Sequence, residues 1–257
     1  MDKRTKPFLS RKEIQTIPLS DRCREVILGS LLGDGSLKIA KGYKNARLTI
    51  RHSIVQEEYL RWKAEELQEI ASAGSIQLQK PDGFSANKKI SFQSRALPQL
   101  TVIHRKAYES NQLRIKRSWL NHMTELSLLV WWLDDGSIIA NGRKGVFCTE
   151  SFDLNAHRIL QRYLKVVWGI STTIGKHSSQ SDEQKYRLYL NNSELRKLFL
   201  LIMPLFCVSN LRFELHGMLK KFCLQYNDPQ FQQRWISEMK ESMPTLDAEI
   251  DQWYFRE

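Results

Sequence analysis

Residues 27–40 read ILGSLLGDGSLKIA, and the reading of the chain turns on Asp34. An apolar helix with glycines at Gly29 and Gly33 finishes on a carboxylate. Carboxylates are favoured near a helix start and disfavoured at its end, where the macrodipole and the free carbonyls are already negative. Something must offset that repulsion.

The motif recurs. LLGDGSL at 31–37 is echoed by WLDDGSI at 132–138, aligning Asp34 with Asp135. Each copy ends a helical stretch. The first helix is expected over 21–34, capped by Ser20 with Asp21 in its first turn, and the second over 125–135, capped by Thr124. Gly35 and Gly136 are expected to end them in the left-handed conformation.

The flanks repeat as well. SLKIA and ARLTIR alternate as half-buried strands, with Leu37, Ile39, Leu48 and Ile50 inward, and VQEEYLRWKAEELQEI is an amphipathic helix carrying Tyr59, Leu60, Trp62 and Leu67. SIQLQK places Ile76 and Leu78 inward, KKISFQS places Ile90 and Phe92 inward, and a helix is expected near 96–108. The second half gives GSIIA, GVFCTES, the helix LNAHRILQRYLKVVW opened by Asp153, STTIGKH, KYRLYLN and the helix NSELRKLFLLIMPLF, with SSQSDEQ at 178–184 as a hairpin loop. Each half therefore reads αββαββα, an α+β domain of antiparallel sheet covered by helices. The expected divisions are a basic arm at 1–19, repeats at 20–120 and 121–216, and an acidic helical extension at 217–257.

With 257 residues, 42% apolar and 26% charged, the chain has the composition of a folded protein. Its net charge of +11 suggests phosphate-rich partners. The region before Ser237 is more basic still, because the last stretch holds six acidic and two basic residues. Cys23, Cys148, Cys207 and Cys223 are far apart and have no zinc spacing, so they read as thiols in a reducing compartment. The longest apolar run, at 198–208, is too short for a bilayer, and the basic start has no apolar signal region. The expectation is an intracellular protein of a bacterial cytoplasm or an organelle.

One face of the strands is aliphatic; the other collects Lys38, Arg47, Thr49, Arg51, Gln77, Gln79, Lys89, Gln93, Lys185 and Arg187. A solvated sheet face explains any one of these. As a set, they are side chains that read base edges in a major groove, Arg or Lys on guanine and Gln on adenine. If the two motif helices pack about a pseudo-two-fold axis, Asp34 and Asp135 meet with both negative dipole ends. A divalent cation between them reverses the problem: hard oxygen ligands completed by water and phosphate describe a magnesium site that hydrolyses a phosphodiester.

ILGSLLGDG (27–35) and LLVWWLDDG (128–136) resemble the two signature helices of a single-chain, two-repeat LAGLIDADG homing endonuclease, over roughly residues 20–216. The resemblance implies a monomer that binds a long asymmetric double-stranded DNA site on a saddle of two four-stranded sheets and cuts both strands with 3′ overhangs. It implies magnesium, with manganese able to substitute, on the last acidic residue of each motif, Asp34 and Asp135. Gly33 and Asp134 adjoin them in the candidate ligand set, although a helix turns about 100° per residue, which aims Asp134 elsewhere.

Trp131 and Trp132 stand where the family often has small residues, and are expected in the core. The family's basic helper near each site falls on Lys116 and Arg212, which would stabilise phosphorane-like charge or orient water. Glu214 stands where the second lysine would align. An intron RNA maturase, or a DNA-binding protein of the same fold without cleavage, stays open as the alternative. An aspartic protease is disfavoured because it needs D-T-G or D-S-G on strand loops, whereas this chain has D-G-S after helices.

Overall fold

Ser20 opens the first helix: its hydroxyl accepts from the Cys23 N–H, and Asp21 sits in the first turn. In this computed structural model the described residues are 18–79, 88–140, 144–177 and 184–208. Beyond them come Met218, Lys221, Phe222, Gln233, Ile236, Ser237, Lys240, Glu241 and Pro244. Most of the basic arm, the loop at 178–183, Arg212, Glu214, Cys223, the Cys207 side chain and most of the 217–257 extension lie outside them. The chain divides into two compact units, Met1–Leu113 and Arg114–Glu257.

The first unit runs α1 (Asp21–Leu32), β1 (Gly35–Lys38), β2 (Arg47–Ser53), α2 (Glu57–Glu66), β3 (Ile76–Gln79), β4 (Lys89–Gln93) and α3 (Pro98–Ala107), then a small ribbon of β5 (Tyr108–Glu109) and β6 (Gln112–Leu113). Its four-stranded sheet is antiparallel in the order β1-β2-β4-β3. The second unit runs α4 (Arg117–Leu120), α5 (Glu125–Asp135), β7 (Gly136–Ile139), β8 (Lys144–Phe147), α6 (Leu154–Trp168), β9 (Thr173–His177), β10 (Lys185–Asn191) and α7 (Asn192–Val208). Its sheet order, β7-β8-β10-β9, repeats the first, as the tandem α+β reading requires.

In the first unit α2 packs on β2 and β4, and α3 on β1 and β2. Between them Leu37, Leu48, Ile50, Tyr59, Leu60, Ile90, Phe92 and Leu100 are buried. In the second, α7 packs on α5 and on β8 and β10. Trp131 lies on the Phe147 ring at 4.1 Å, and Trp132 meets Phe147 and Phe199 edge-on at 5.3 and 5.4 Å. The tryptophans are core residues, as their apolar mass demands.

Three local expectations are corrected. Helix α1 stops at Leu32, not Asp34, because the chain leaves helical geometry at Gly33 (φ −120°, ψ −119°), whose N–H bonds the Ser30 carbonyl. Gly35 and Gly136 are not left-handed; among the described residues the positive-φ glycines are Gly42 and Gly169. Glycine serves close approach instead: a Cβ on Gly35 would lie 2.8 Å from the Ser30 carbonyl oxygen, and one on Gly136 2.3 Å from the Trp132 ring. Leu78, expected inward, is 69% exposed because β3 is an edge strand paired to β4 alone within its sheet.

Glu194, in the first turn of α7, ties that helix to the turn after α6. It accepts from the Ser171 N–H at 2.7 Å and from Lys197 Nζ at 2.8 Å. Burial pushes its carboxyl up, but Lys197 and the Ser171 N–H outweigh it and hold the pKa below the ordinary value. A depressed folded-state pKa gives stability that is present above the unfolded pKa and lost as pH falls through the folded one. Glu194→Ala is expected to lower stability at pH 7 by about 1.5–3 kcal/mol. The gap from the parent should narrow in urea melts taken progressively below pH 4.5, the ordinary value for this group.

Candidate functional site

In the first unit the repeated strand parity puts the predicted polar residues on one face. Lys38 pairs with Arg47, Thr49 with Ser36 and Gln93, Arg51 with Ser91, and Gln77 with Ser91. Ser53 and Gln79 both pair with Lys89. The opposite parity, Leu37, Leu48, Ile50, Ile90 and Phe92, goes to the helices. Arg47 is held rather than loose: its guanidinium lies 4.5 Å over the Tyr43 ring, and Nη1 donates to Gln93 Oε1 at 3.1 Å. Gln77 Nε2 donates to the Gly74 carbonyl. Around this corner lies a depression of roughly 910 Å³ bordered by Tyr43, Arg47, Gln77, Gln93 and Arg95.

In the second unit Lys185 and Arg187 share a face of β10, which pairs with β9. Arg187 is ion-paired with Glu150, and His177 approaches the same carboxylate at 3.9 Å. That pairing neutralises part of the cationic face expected from the sequence.

Asp34 follows α1 and its cap residue Gly33, and its side chain is 38% exposed. Its Oδ2 lies 3.3 Å from His52 Nδ1, and the His52 side chain is almost fully buried. Behind His52 stands Lys63, wholly buried on α2, with Nζ 3.5 Å from His52 Nε2. Sequence reading missed both. The signal was present: His52 continues the inward parity of Leu48 and Ile50, and Lys63 follows Tyr59 by one helical turn, so each is a titratable residue in an apolar phase.

At the matching place in the second unit, Asp135 is half-buried and its carbonyl accepts from the Cys148 N–H at 2.9 Å. Asp134 is buried, at 8% exposure. The negative end of α5 is met by a cation: Lys221 Nζ donates to the carbonyls of Gly136 at 2.6 Å and Asp134 at 3.3 Å. Lys221 falls in the 217–257 extension, expected from the sequence to be acidic. The Lys221 carbonyl accepts from Trp132 Nε1 at 2.9 Å, and Phe222 packs on Phe199 at 5.1 Å. Burial raises the Cys148 thiol above its ordinary pKa, with smaller opposing contributions from Arg187 and Lys221, so it is a poor nucleophile. Lys116 is half-buried and caps α4 without a side-chain cap bond; Arg212 lies outside the described residues.

A carboxylate just beyond α1 in the first unit and another at the end of α5 in the second, the first of them more than a third exposed, suit a hard divalent cation by donor chemistry. Among the described residues no helix is long and apolar enough to cross a membrane.

A family model, the LAGLIDADG DNA endonuclease family, matches residues 24–198. Among curated relatives, the chain is 26% identical over 170 residues to Protein RecA of Mycolicibacterium chitae, matching 61% of this chain but 38% of that one. It is 24% identical over 202 residues to cytochrome b mRNA maturase bI2 of Debaryomyces hansenii, covering 77% and 75% of the two chains. It is also 24% identical over 210 residues to DNA endonuclease I-ChuI of Chlamydomonas applanata, covering 76% and 95%. The homing endonuclease I-WcaI bound to its DNA recognition sequence superimposes with a TM-score of 0.67 at 20% identity, over 80% of this chain and 92% of that one.

Proposed function

The chain belongs to the LAGLIDADG DNA endonuclease family, and on that premise we propose that it is a site-specific double-strand DNA endonuclease. The reading is supported most directly by the polar face of the first unit's sheet, where Arg47, Arg51, Gln77 and Gln93 line up by strand register opposite the face of Leu48, Ile50, Ile90 and Phe92. A face of forked donors reads base edges, and the surplus positive charge takes phosphates. Lys38, Thr49, Gln79, Lys89, Lys185 and Arg187 belong to the same DNA-binding set.

In this reading Asp34 and Asp135 supply carboxylate oxygens to magnesium or manganese, with Gly33 and Asp134 in the same ligand set. When bound, such an ion lowers the pKa of its water and stabilises phosphoryl charge. The protein's part is to hold the carboxylates, bind the duplex in register and place a cation, Lys116 or Arg212, near the developing charge. Cleavage leaves 3′ overhangs.

The test is in vitro selection of cleaved sites from a randomised duplex library in magnesium, repeated in calcium. One long, asymmetric site cut in magnesium and bound uncut in calcium is the expected result. A library left intact, although the protein binds it, rejects the nuclease assignment. The likeness to a cytochrome b mRNA maturase over 77% of the chain supports a second reading, intron RNA splicing. That reading predicts splicing that survives Asp34→Asn.

A further inference from the structure

We infer that Glu150 is a positioning residue for base choice: it holds one edge of the Arg187 guanidinium and turns the other edge to guanine in a major groove. The inference rests on the DNA-binding reading of the sheet face and lies wholly within the second unit.

Arg187 stands on β10, on the face opposite buried Leu188 and Leu190. Its cross-strand partner on β9 is Gly175, so no side chain of that strand stands directly opposite it. The Tyr189 ring leans over Gly175, where a Cβ would meet it at 2.5 Å. Glu150 comes from the turn between β8 and α6. That turn is fixed by bonds of its own: the Phe152 N–H donates to the Thr149 carbonyl at 3.0 Å, the Thr149 hydroxyl lies 2.9 Å from buried His157 Nε2, and the Asp153 carboxylate caps α6. The carboxylate of Glu150 is thus presented to β10 from a framed position. Arg187 Nε and Nη2 are both directed at its Oε1, and the two side chains are 24% and 26% exposed.

The shape of the guanidinium gives this pairing a consequence. Its donors lie in one plane as a rigid fork. Nε–H and the nearer Nη2–H make one edge, and the farther Nη2–H and an Nη1–H make a second. Glu150 occupies the first edge. The second is a pair of parallel donors, the match for O6 and N7 of guanine. An arginine already held in its rotamer loses less freedom when it meets the base. The same carboxylate puts a negative charge on a face that approaches phosphates, so it weakens binding to every duplex alike. Glu150 therefore lowers affinity for wrong sequences and sharpens the preference at one base pair, which is how a repulsive element serves specificity.

The experiment uses the full chain in calcium. Base preference is read at every position by sequencing the bound fraction of a randomised duplex library, and affinity for one mixed-sequence duplex is followed through a salt series. The parent is expected to prefer guanine at one position, where Arg187→Lys, which keeps the charge and loses the fork, reduces the preference about 5–150-fold. Glu150→Ala is expected to reduce it about 2–10-fold at that position and at no other. Glu150→Gln, which keeps an acceptor without the charge, should fall between Glu150→Ala and the parent. Both Glu150 variants should bind the mixed-sequence duplex more tightly than the parent, with a log–log salt slope steeper by about one. Adding Glu150→Ala to Arg187→Lys should cost no further preference, because the residue acts through the fork.

A preference unchanged in Glu150→Ala overturns the inference. So does a loss spread evenly over all positions with weaker binding to the mixed-sequence duplex, which would leave Glu150 as a tie between the turn and β10. A parent that selects bases, none of them through Arg187, overturns this inference alone, whereas a parent that selects no base at any position overturns the DNA reading with it.

Discussion

On the proposed function, replacing Asp34 by asparagine is expected to abolish DNA cleavage while leaving recognition of the site intact, and Asp135→Asn is expected to do the same. The substitution keeps shape and removes charge. A carboxamide binds a hard divalent ion far more weakly than a carboxylate. Losing several kcal/mol of charge stabilisation corresponds to a fall in rate on the order of 10²–10⁴. Affinity for the site in calcium should change little, because the proposed base contacts belong to the sheet face of Arg47, Arg51, Gln77 and Gln93 and not to the carboxylates. Single-turnover cleavage beside a calcium gel shift separates the two. Cleavage by Asp34→Asn above a tenth of the parent rate would mean that this carboxylate holds no catalytic ion, and would overturn the proposed metal site.

The second large effect is on stability. Trp132 is fully buried, meets Phe147 and Phe199 edge-on, and donates from Nε1 to the Lys221 carbonyl. Gly136 lies so close to the ring that no side chain fits there. Trp132→Ala should therefore cost about 3–5 kcal/mol, the sum of lost transfer energy and an uncollapsed cavity. It also frees the anchor of the segment whose Lys221 ammonium meets the α5 carbonyls. Trp132→Phe keeps most of the ring packing and loses the Nε1 bond, so a smaller loss of about 1–3 kcal/mol is expected. Urea melts of the three proteins measure this; equal midpoints for Trp132→Ala and the parent would show that the ring is not a structural centre of the second unit.

Asp34 poses a question that receives a different physical answer from the one its sequence context suggests. The helix-end repulsion disappears in part because α1 ends at Leu32, and Asp34 faces His52. At the end of α5 the compensating charge is the Lys221 ammonium. Neither partner could be chosen from the motif alone, since Lys221 lies 85 residues from Gly136. Arg187, read as a DNA contact, turned out to share its charge with Glu150, 37 residues away.

The sequence by itself determined what depends on near neighbours along the chain. Ser20, Thr124 and Asp153 cap helices because each oxygen reaches an N–H three residues on. The alternation in ARLTIR and KYRLYLN separated the two faces of each sheet, and the doubled D-G motif fixed a repeated αββαββα order. Tertiary structure alone decided which strand became an edge and exposed Leu78, that Gly136 is needed for the Trp132 ring rather than for a left-handed turn, and that His52 and Lys63 line up behind Asp34. Periodicity reports the direction in which a side chain points; what it meets there depends on segments brought together only when the sheet and its helices close around one core.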